Sequence, residues 1–288
     1  MIPAKFDYVR PSSLASAVEA LADGGDDAKV IAGGQSLLPL LRLRLAYPDL
    51  LVDIGGLDEL VGVRDLGDEL LIGAMTTHYS LIRDPLVREH CGLIAETAAT
   101  VADPAVRHRG TIGGSLAHAD PAGDLPAVMC ALDATLIATG RSPGGEREIA
   151  AGDFFVDYLT TALEPTEILT AIRVPKLGPA WGYHYEKFQP TAQAWAIVGV
   201  AALARRDDGH VAEARIGLTN MGTIPVRARA AEAAAAGAEA SRAALAAAAA
   251  NADEGTDPPD DLRAASDYRR HLARVLTGRA LAEAAGVR

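Results

Sequence analysis

The chain has 288 residues, 49% hydrophobic and 23% charged, which suits a soluble globular protein of two or three modest domains and excludes wholesale disorder. A net charge of −11 without a basic run or aromatic-basic interleaving argues against nucleic-acid binding. Cys91 and Cys130 are the only cysteines and form no CxxC pair, so neither a zinc ribbon nor a redox dithiol is indicated. Nor can the chain alone build a cluster of the plant ferredoxin type, which needs four thiolates.

The N-terminal MIPAKFDYVRP lacks the apolar core of a secretory signal. Ser12 or Ser13 can cap a helix with apolar positions Leu14, Val18 and Leu21, and Gly24-Gly25 ends it. A short apolar run, Val30-Ile31-Ala32, breaks at Gly33-Gly34. A short helix over Leu37 to Leu45 and a strand at Leu50–Ile54 complete a βαβ-like unit. Leu60–Val63 and Glu69–Ala74 then suggest a hairpin, and Gly92 to Val101 a helix. After a Gly-rich segment, Arg109 to Ser115, Asp124 can cap a helix over Leu125 to Leu132. Strands follow at Ala134–Ala138, Ile168–Val174, Tyr183–Phe188, Ala196–Leu203 and Ala214–Thr219.

The longest uncharged stretch, Phe188 to Ala204, contains two Gln and a Pro, so it reads as a loop and a buried strand. A membrane span needs about 20 mostly apolar residues. No transmembrane segment is expected, and the cytoplasm is the expected location. Arg227 to Asn251 is Ala-rich and predicts a helix or helical pair, since alanine is the best helix former. Asn251–Asp261 reads as an exposed linker, and Leu262 to Leu281 as a helix with one apolar face.

Four segments carry chemistry. Ala32-Gly33-Gly34-Gln35-Ser36 follows a strand and precedes a helix, so its turn can aim consecutive amides at an anion. Gly-Gly after a strand is also a plain turn, and the GxGxxG and P-loop motifs are missing. Arg109-Gly110-Thr111-Ile112-Gly113-Gly114-Ser115 repeats the pairing of Gly-Gly with hydroxyls, and two such loops can hold a pyrophosphate from both sides. In His118-Ala119-Asp120-Pro121-Ala122-Gly123-Asp124, His118 and the two Asp are metal-ligand types. Asp124 nevertheless sits where a helix N-cap belongs, Asp120-Pro121 starts a turn, and a carboxylate here can accept from ribose hydroxyls. In Tyr183–Phe188, alternation puts Tyr183, Tyr185 and Lys187 on one strand face.

Taken together, AGGQSLLPLLRLRLAYPDLLVDI, IGAMTTH, DPAVRHRGTIGGSLAHADPAGDLPAVMCALDA and YRRHLARVL resemble the FAD-binding medium subunits of molybdenum hydroxylases of the xanthine oxidase class. The nearest look is to the medium chain of aerobic carbon monoxide dehydrogenases. The resemblance runs along essentially the whole chain.

It implies an α+β fold of the phenol-oxidase-like FAD-binding type, in three parts. These are an α/β unit (1–55), a middle antiparallel sheet with helices (56–175), and a C-terminal three-stranded sheet with a helical bundle (176–288). FAD would lie between the first two, held by Lys29, Val30, Ile31, Ala32, Gly33, Gly34, Gln35 and Ser36. The second block would contribute Thr111, Ile112, Gly113, Gly114 and Ser115. Ala102, Asp103, Asp124, Leu169, Lys187 and Trp195 would also lie against the cofactor. Gln35 replaces the His of some carbon monoxide dehydrogenases and Ser115 the Asn of many members. Both remain polar donors.

No acid–base catalyst and no metal ligand is expected in this chain. The resemblance implies partners instead. A large subunit would carry the molybdenum cofactor and a small one two [2Fe–2S] clusters, in a dimer of heterotrimers that serves an external acceptor, in the cytoplasm or at the inner face of the membrane. The alternative is a free-standing flavin oxidase of the same broad FAD fold.

Overall fold

The structure, a computed structural model, describes residues 2–141 and 145–287. The N-terminal unit begins with a strand at Asp7–Val9. Ser13 then caps the helix Leu14–Gly24, its hydroxyl accepting from the Ser16 amide at 3.2 Å. Ala17, Val18 and Leu21 turn inward from that helix. Strands Asp7–Val9, Leu50–Asp53 and Ala28–Ile31 lie side by side in that order, all parallel, with Val30 opposite Val52.

The middle sheet is antiparallel, with strands Val63–Asp65, Glu69–Gly73, Ile168–Pro175, Thr135–Thr139 and Glu146–Ala150 in that spatial order. The expected strand at Leu60–Val63 starts only at Val63, because Asp58–Leu60 closes a 3₁₀ turn. The edge strand Glu146–Ala150 has one buried residue, Ile149, too few to leave an alternating signal. A bulge in the central strand falls between Leu169 and Ala171. The helices Gly92–Thr100 and Asp124–Ala131 are nearly all buried and carry the main core.

The C-terminal sheet orders Trp181–Phe188, Val198–Asp207, His210–Thr219 and Val226–Arg227, all antiparallel. It thus has a fourth strand of two residues beside the three expected. Helix Asp124–Ala131 packs on this sheet at Gly217, where a side chain would meet the Ala127 carbonyl oxygen at 2.2 Å. The Ala-rich stretch forms a pair of helices, Arg229–Ala235 and Arg242–Ala249, with Gly237 between them at φ +80°. The expected exposed linker is only partly exposed. Ala252 and Thr256 are buried, the Asp257 amide bonds the Met221 carbonyl, and Arg274 pairs with Asp253 at 2.6 Å. These contacts tie it to the last helix, Ser266–Ala284. Among the described residues no helix is long and apolar enough to cross a membrane.

Candidate functional site: a nucleotide cleft between the first two units

A cleft of about 550 Å³ opens between the parallel unit and the middle sheet. That volume lies within the roughly 300–1,000 Å³ of small-molecule and cofactor sites. One wall is the segment after strand Ala28–Ile31. Gly34 adopts φ +76°, a conformation that glycine reaches without strain. The turn leaves the amides of Gly33, Gly34, Gln35, Ser36 and Leu37 without an acceptor among the described residues. The Ser36 hydroxyl makes no cap on the helix Leu37–Leu43. Unpaired amides are rare in folded proteins unless water or a ligand takes them. A run of them at a cleft wall forms an anion-binding concavity.

The opposite wall holds the second Gly-Gly block, which is not a loop. Residues Ile112–His118 form a helix, and Thr111 caps it by accepting from the Gly114 amide at 3.1 Å. Three further amides are taken as well: Ile112 donates to Thr76, Gly113 to Ala74 and Ser115 to Thr111, whereas the Thr111 amide has no acceptor among the described residues. The two blocks touch. A side chain on Gly33 would meet the Arg109 carbonyl oxygen at 2.1 Å, and one on Gly113 the Ala74 oxygen at 2.7 Å. The two blocks therefore present different donors to the cleft. The first has a run of free amides, whereas the second leaves the Thr111 amide and the Ser115 hydroxyl, neither of which donates to a partner among the described residues.

At the third side of the cleft lies a buried polar cluster. Lys187 Nζ donates to Asp124 Oδ2 at 2.8 Å and to the Thr100 carbonyl at 3.2 Å, and Tyr185 donates to Asp124 Oδ1 at 2.7 Å. Asp124 does not cap its helix. Gly123 holds the cap position, and Asp124 is the first helical residue with its carboxylate turned inward. Burial pushes the Asp124 carboxyl up, and the Lys187 ammonium and the Tyr185 hydroxyl pull it back. Burial, reinforced by the Asp124 charge, holds the Tyr185 phenol well above its ordinary value. Lys187 thus enters the cleft as half of an ion pair, which weakens the field of a lone cation.

Sixteen of the expected cofactor residues line this cleft: Lys29, Val30, Ala32, Gly33, Gly34, Gln35, Ser36, Ala102, Thr111, Gly113, Gly114, Ser115, Asp124, Leu169, Lys187 and Trp195. Ala102 stands at φ +41°, unusual for a residue with a side chain, and Arg107 holds the Val101 and Ala102 carbonyls at 2.7 and 3.1 Å. Trp195 is 44% exposed at the rim. Three expected residues stand outside the lining. Ile31 accepts the Ile54 amide through its carbonyl, Ile112 is fully buried in the main core, and Asp103 caps the short helix Pro104–Arg107.

His118 and Asp120 also line the cleft, 4.0 Å apart, but Asp124 turns away to Lys187, so the three do not converge. Tyr183 does not face the cleft. Its hydroxyl lies where a Gly92 side chain would stand. Sequence reasoning assigned no role to Met75, His78, Glu167 or Gln193, which also line the cleft. Met75 and His78 lie within the IGAMTTH segment, whose only signal was the resemblance.

Free amides, glycines that admit only backbone and long apolar walls suit a dinucleotide, and fold and site together define a nucleotide-binding subunit. Residues 4–177 match the family described as the FAD binding domain in molybdopterin dehydrogenase, and residues 183–284 the CO dehydrogenase flavoprotein C-terminal domain. A carbon monoxide dehydrogenase medium chain from Hydrogenophaga pseudoflava is 40% identical, across 98% of this chain and 97% of the relative. The 6-hydroxypseudooxynicotine dehydrogenase complex subunit alpha of Paenarthrobacter nicotinovorans is 39% identical, across 99% and 96%. A solved structure of the Hydrogenophaga pseudoflava carbon monoxide dehydrogenase superposes with a TM-score of 0.96 at 42% identity, covering 100% of this chain and 99% of that one. The chain belongs to the FAD-binding medium subunits of the carbon monoxide dehydrogenase and xanthine oxidase family, and is an oxidoreductase subunit.

Proposed function

We propose that this chain holds FAD in the cleft between its first two units and passes electrons from the [2Fe–2S] clusters of a small partner subunit to a quinone, NAD or another acceptor. The primary substrate is oxidised at the molybdenum cofactor of a large partner subunit, and the assembly is a dimer of heterotrimers. The observation that carries this reading is the run of unpaired amides from Gly33 to Leu37 facing the cleft. Relatives named for carbon monoxide and for 6-hydroxypseudooxynicotine, at nearly equal identity, support a substrate chosen outside this chain.

Bound FAD supplies the exchange between single-electron arrival and delivery of electrons to the acceptor; the protein supplies position and electrostatics. The amides of Gly33 to Ser36 grip the pyrophosphate, and the Ser115 hydroxyl adds a donor from the facing helix. Ala102 and Leu169 form apolar walls that exclude water from the ring system. The Asp124–Lys187 pair places a fixed dipole at the cleft, and Trp195 covers its open rim.

The test is a visible absorption spectrum of the chain expressed alone, then of the complex pulled down with it from its native host. Flavin bands in the lone chain, joined by iron–sulfur absorbance in the complex, are expected. A folded chain with no flavin in either sample would overturn the proposal.

A further inference from the structure

His78 lines the cleft, is 4% exposed, and belongs to no cofactor residue set inferred from the sequence. Its backbone amide bonds the Gly110 carbonyl at 3.0 Å. A side chain on Gly110 would stand 3.2 Å from His78 Nε2, and one on Gly33 would stand 2.9 Å from the Gly110 Cα. The imidazole therefore packs against Gly110, whose Cα in turn adjoins Gly33 of the first block.

Its two nitrogens differ. Nδ1 is sealed in the protein with no hydrogen-bond partner. Nε2 has no protein partner among the described residues either, yet it is not sealed, which leaves it on the cleft side. A neutral imidazole carries one proton. A proton on Nδ1 would strand a buried donor, and orphaned buried N–H groups are rarer than under-satisfied acceptors. The proton therefore belongs on Nε2, where it points at whatever fills the cleft. Burial, with the nearby Arg107 guanidinium, pulls this imidazole down to about 4, so it stays neutral under ordinary conditions.

We infer that His78 is a further phosphate-binding residue of the cleft, a neutral imidazole whose Nε2–H donates to the dinucleotide pyrophosphate beside the amides of Gly33 and Gly34. This rests on the FAD reading and adds to it a second donor from the middle unit, beside the Ser115 hydroxyl. A hydrogen bond to a charged partner contributes about tenfold to a hundredfold in affinity.

The full chain, stripped of flavin, is titrated with FAD, ADP and riboflavin, as wild type, His78→Leu and His78→Gln. Leu fills the site without a donor, and Gln can return an N–H near the Nε2 position. The expected result is a loss of about tenfold or more for both FAD and ADP in His78→Leu. Riboflavin binding should be unchanged, and His78→Gln should recover much of the loss. In parallel, ¹⁵N-histidine spectra of the wild type should show a neutral Nε2–H tautomer from pH 5 to 8 that shifts when ADP is added.

If the wild type binds FAD and ADP but His78→Leu loses nothing, or loses riboflavin equally, His78 is only packing and the inference falls. If His78→Leu does not fold, the wild-type spectra decide: an Nδ1–H tautomer, or no shift with ADP, overturns it. A wild-type chain that binds neither FAD nor ADP sinks the FAD reading itself, a distinguishable failure.

Discussion

Residues 32–36 and 111–124 look alike in sequence, each pairing Gly-Gly with hydroxyl side chains, yet they are physically opposite. The first is open, with amides from Gly33 to Leu37 that donate to nothing in the protein. The second is saturated over 112–115, a capped helix whose first amides bond Thr76, Ala74 and Thr111. The same dipeptide serves a ligand in one place and the fold in the other. In the second region glycine is needed for close approach, since Gly113 lies against the Ala74 backbone. In the first it is needed for both a left-handed angle at Gly34 and close approach at Gly33.

Mutations in the saturated region should therefore cost stability, and mutations in the open one should cost FAD. The largest effect is expected at Asp124, the end of the saturated region. Asp124→Ala strands the buried Lys187 ammonium, and breaking such a pair costs about 3–5 kcal/mol. Denaturant unfolding measures this, and a loss below about 1 kcal/mol would contradict the buried pair. Gly33→Ala pushes its methyl into the Arg109 carbonyl and parts the two blocks. Losing even one or two charge-assisted hydrogen bonds should weaken FAD by about a hundredfold. Because the clash is with backbone, the apo chain's melting temperature should fall as well, and FAD affinity near wild type in the folded fraction would contradict the role given to this turn.

Thr111→Val removes a helix cap and should cost about 1 kcal/mol of stability. FAD affinity in the folded fraction should stay near wild type; a loss as large as that of Gly33→Ala would erase the contrast.

The smallest effect lies away from both blocks. His184 bonds Glu186 at 3.1 Å and Glu96 at 2.7 Å, and these carboxylates raise its pKa to about 10. Its stabilising contribution is complete below the ordinary value of 6.5 and is lost as pH rises through about 10. The wild type should lose some melting temperature between pH 7 and 10 that His184→Gln does not lose. Parallel curves for the two proteins would remove the pair from the account.

How much of this was legible in sequence follows from the same contrast. The parallel unit and the first hairpin were readable because their periodicity and the cap at Ser13 are local, whereas the helix at Gly92 has no side-chain cap and is buried on nearly all sides. The second block read as a loop because Gly-Gly lowers helix propensity; the cap at Thr111 that starts its helix is local, but the contact with Ala74 that supports it comes from packing. Asp124 read as a cap for a similar reason: the residue type suits a cap, and only the fold brings Lys187 and Tyr185 to it across 63 and 61 residues. Ile112 matched the family motif, yet a strictly local pattern does not reveal that its side chain turns into the core. Glu146–Ala150 escaped notice because an edge strand with one buried residue has no alternation to find.

Amide hydrogen exchange of the full chain, with and without FAD, tests the central claim most directly. Residues 33–37 should exchange fast in the apo chain and become protected when FAD binds, while residues 112–115 should be protected in both states. Unchanged exchange at 33–37 on FAD binding would contradict the assignment of those free amides to the cofactor.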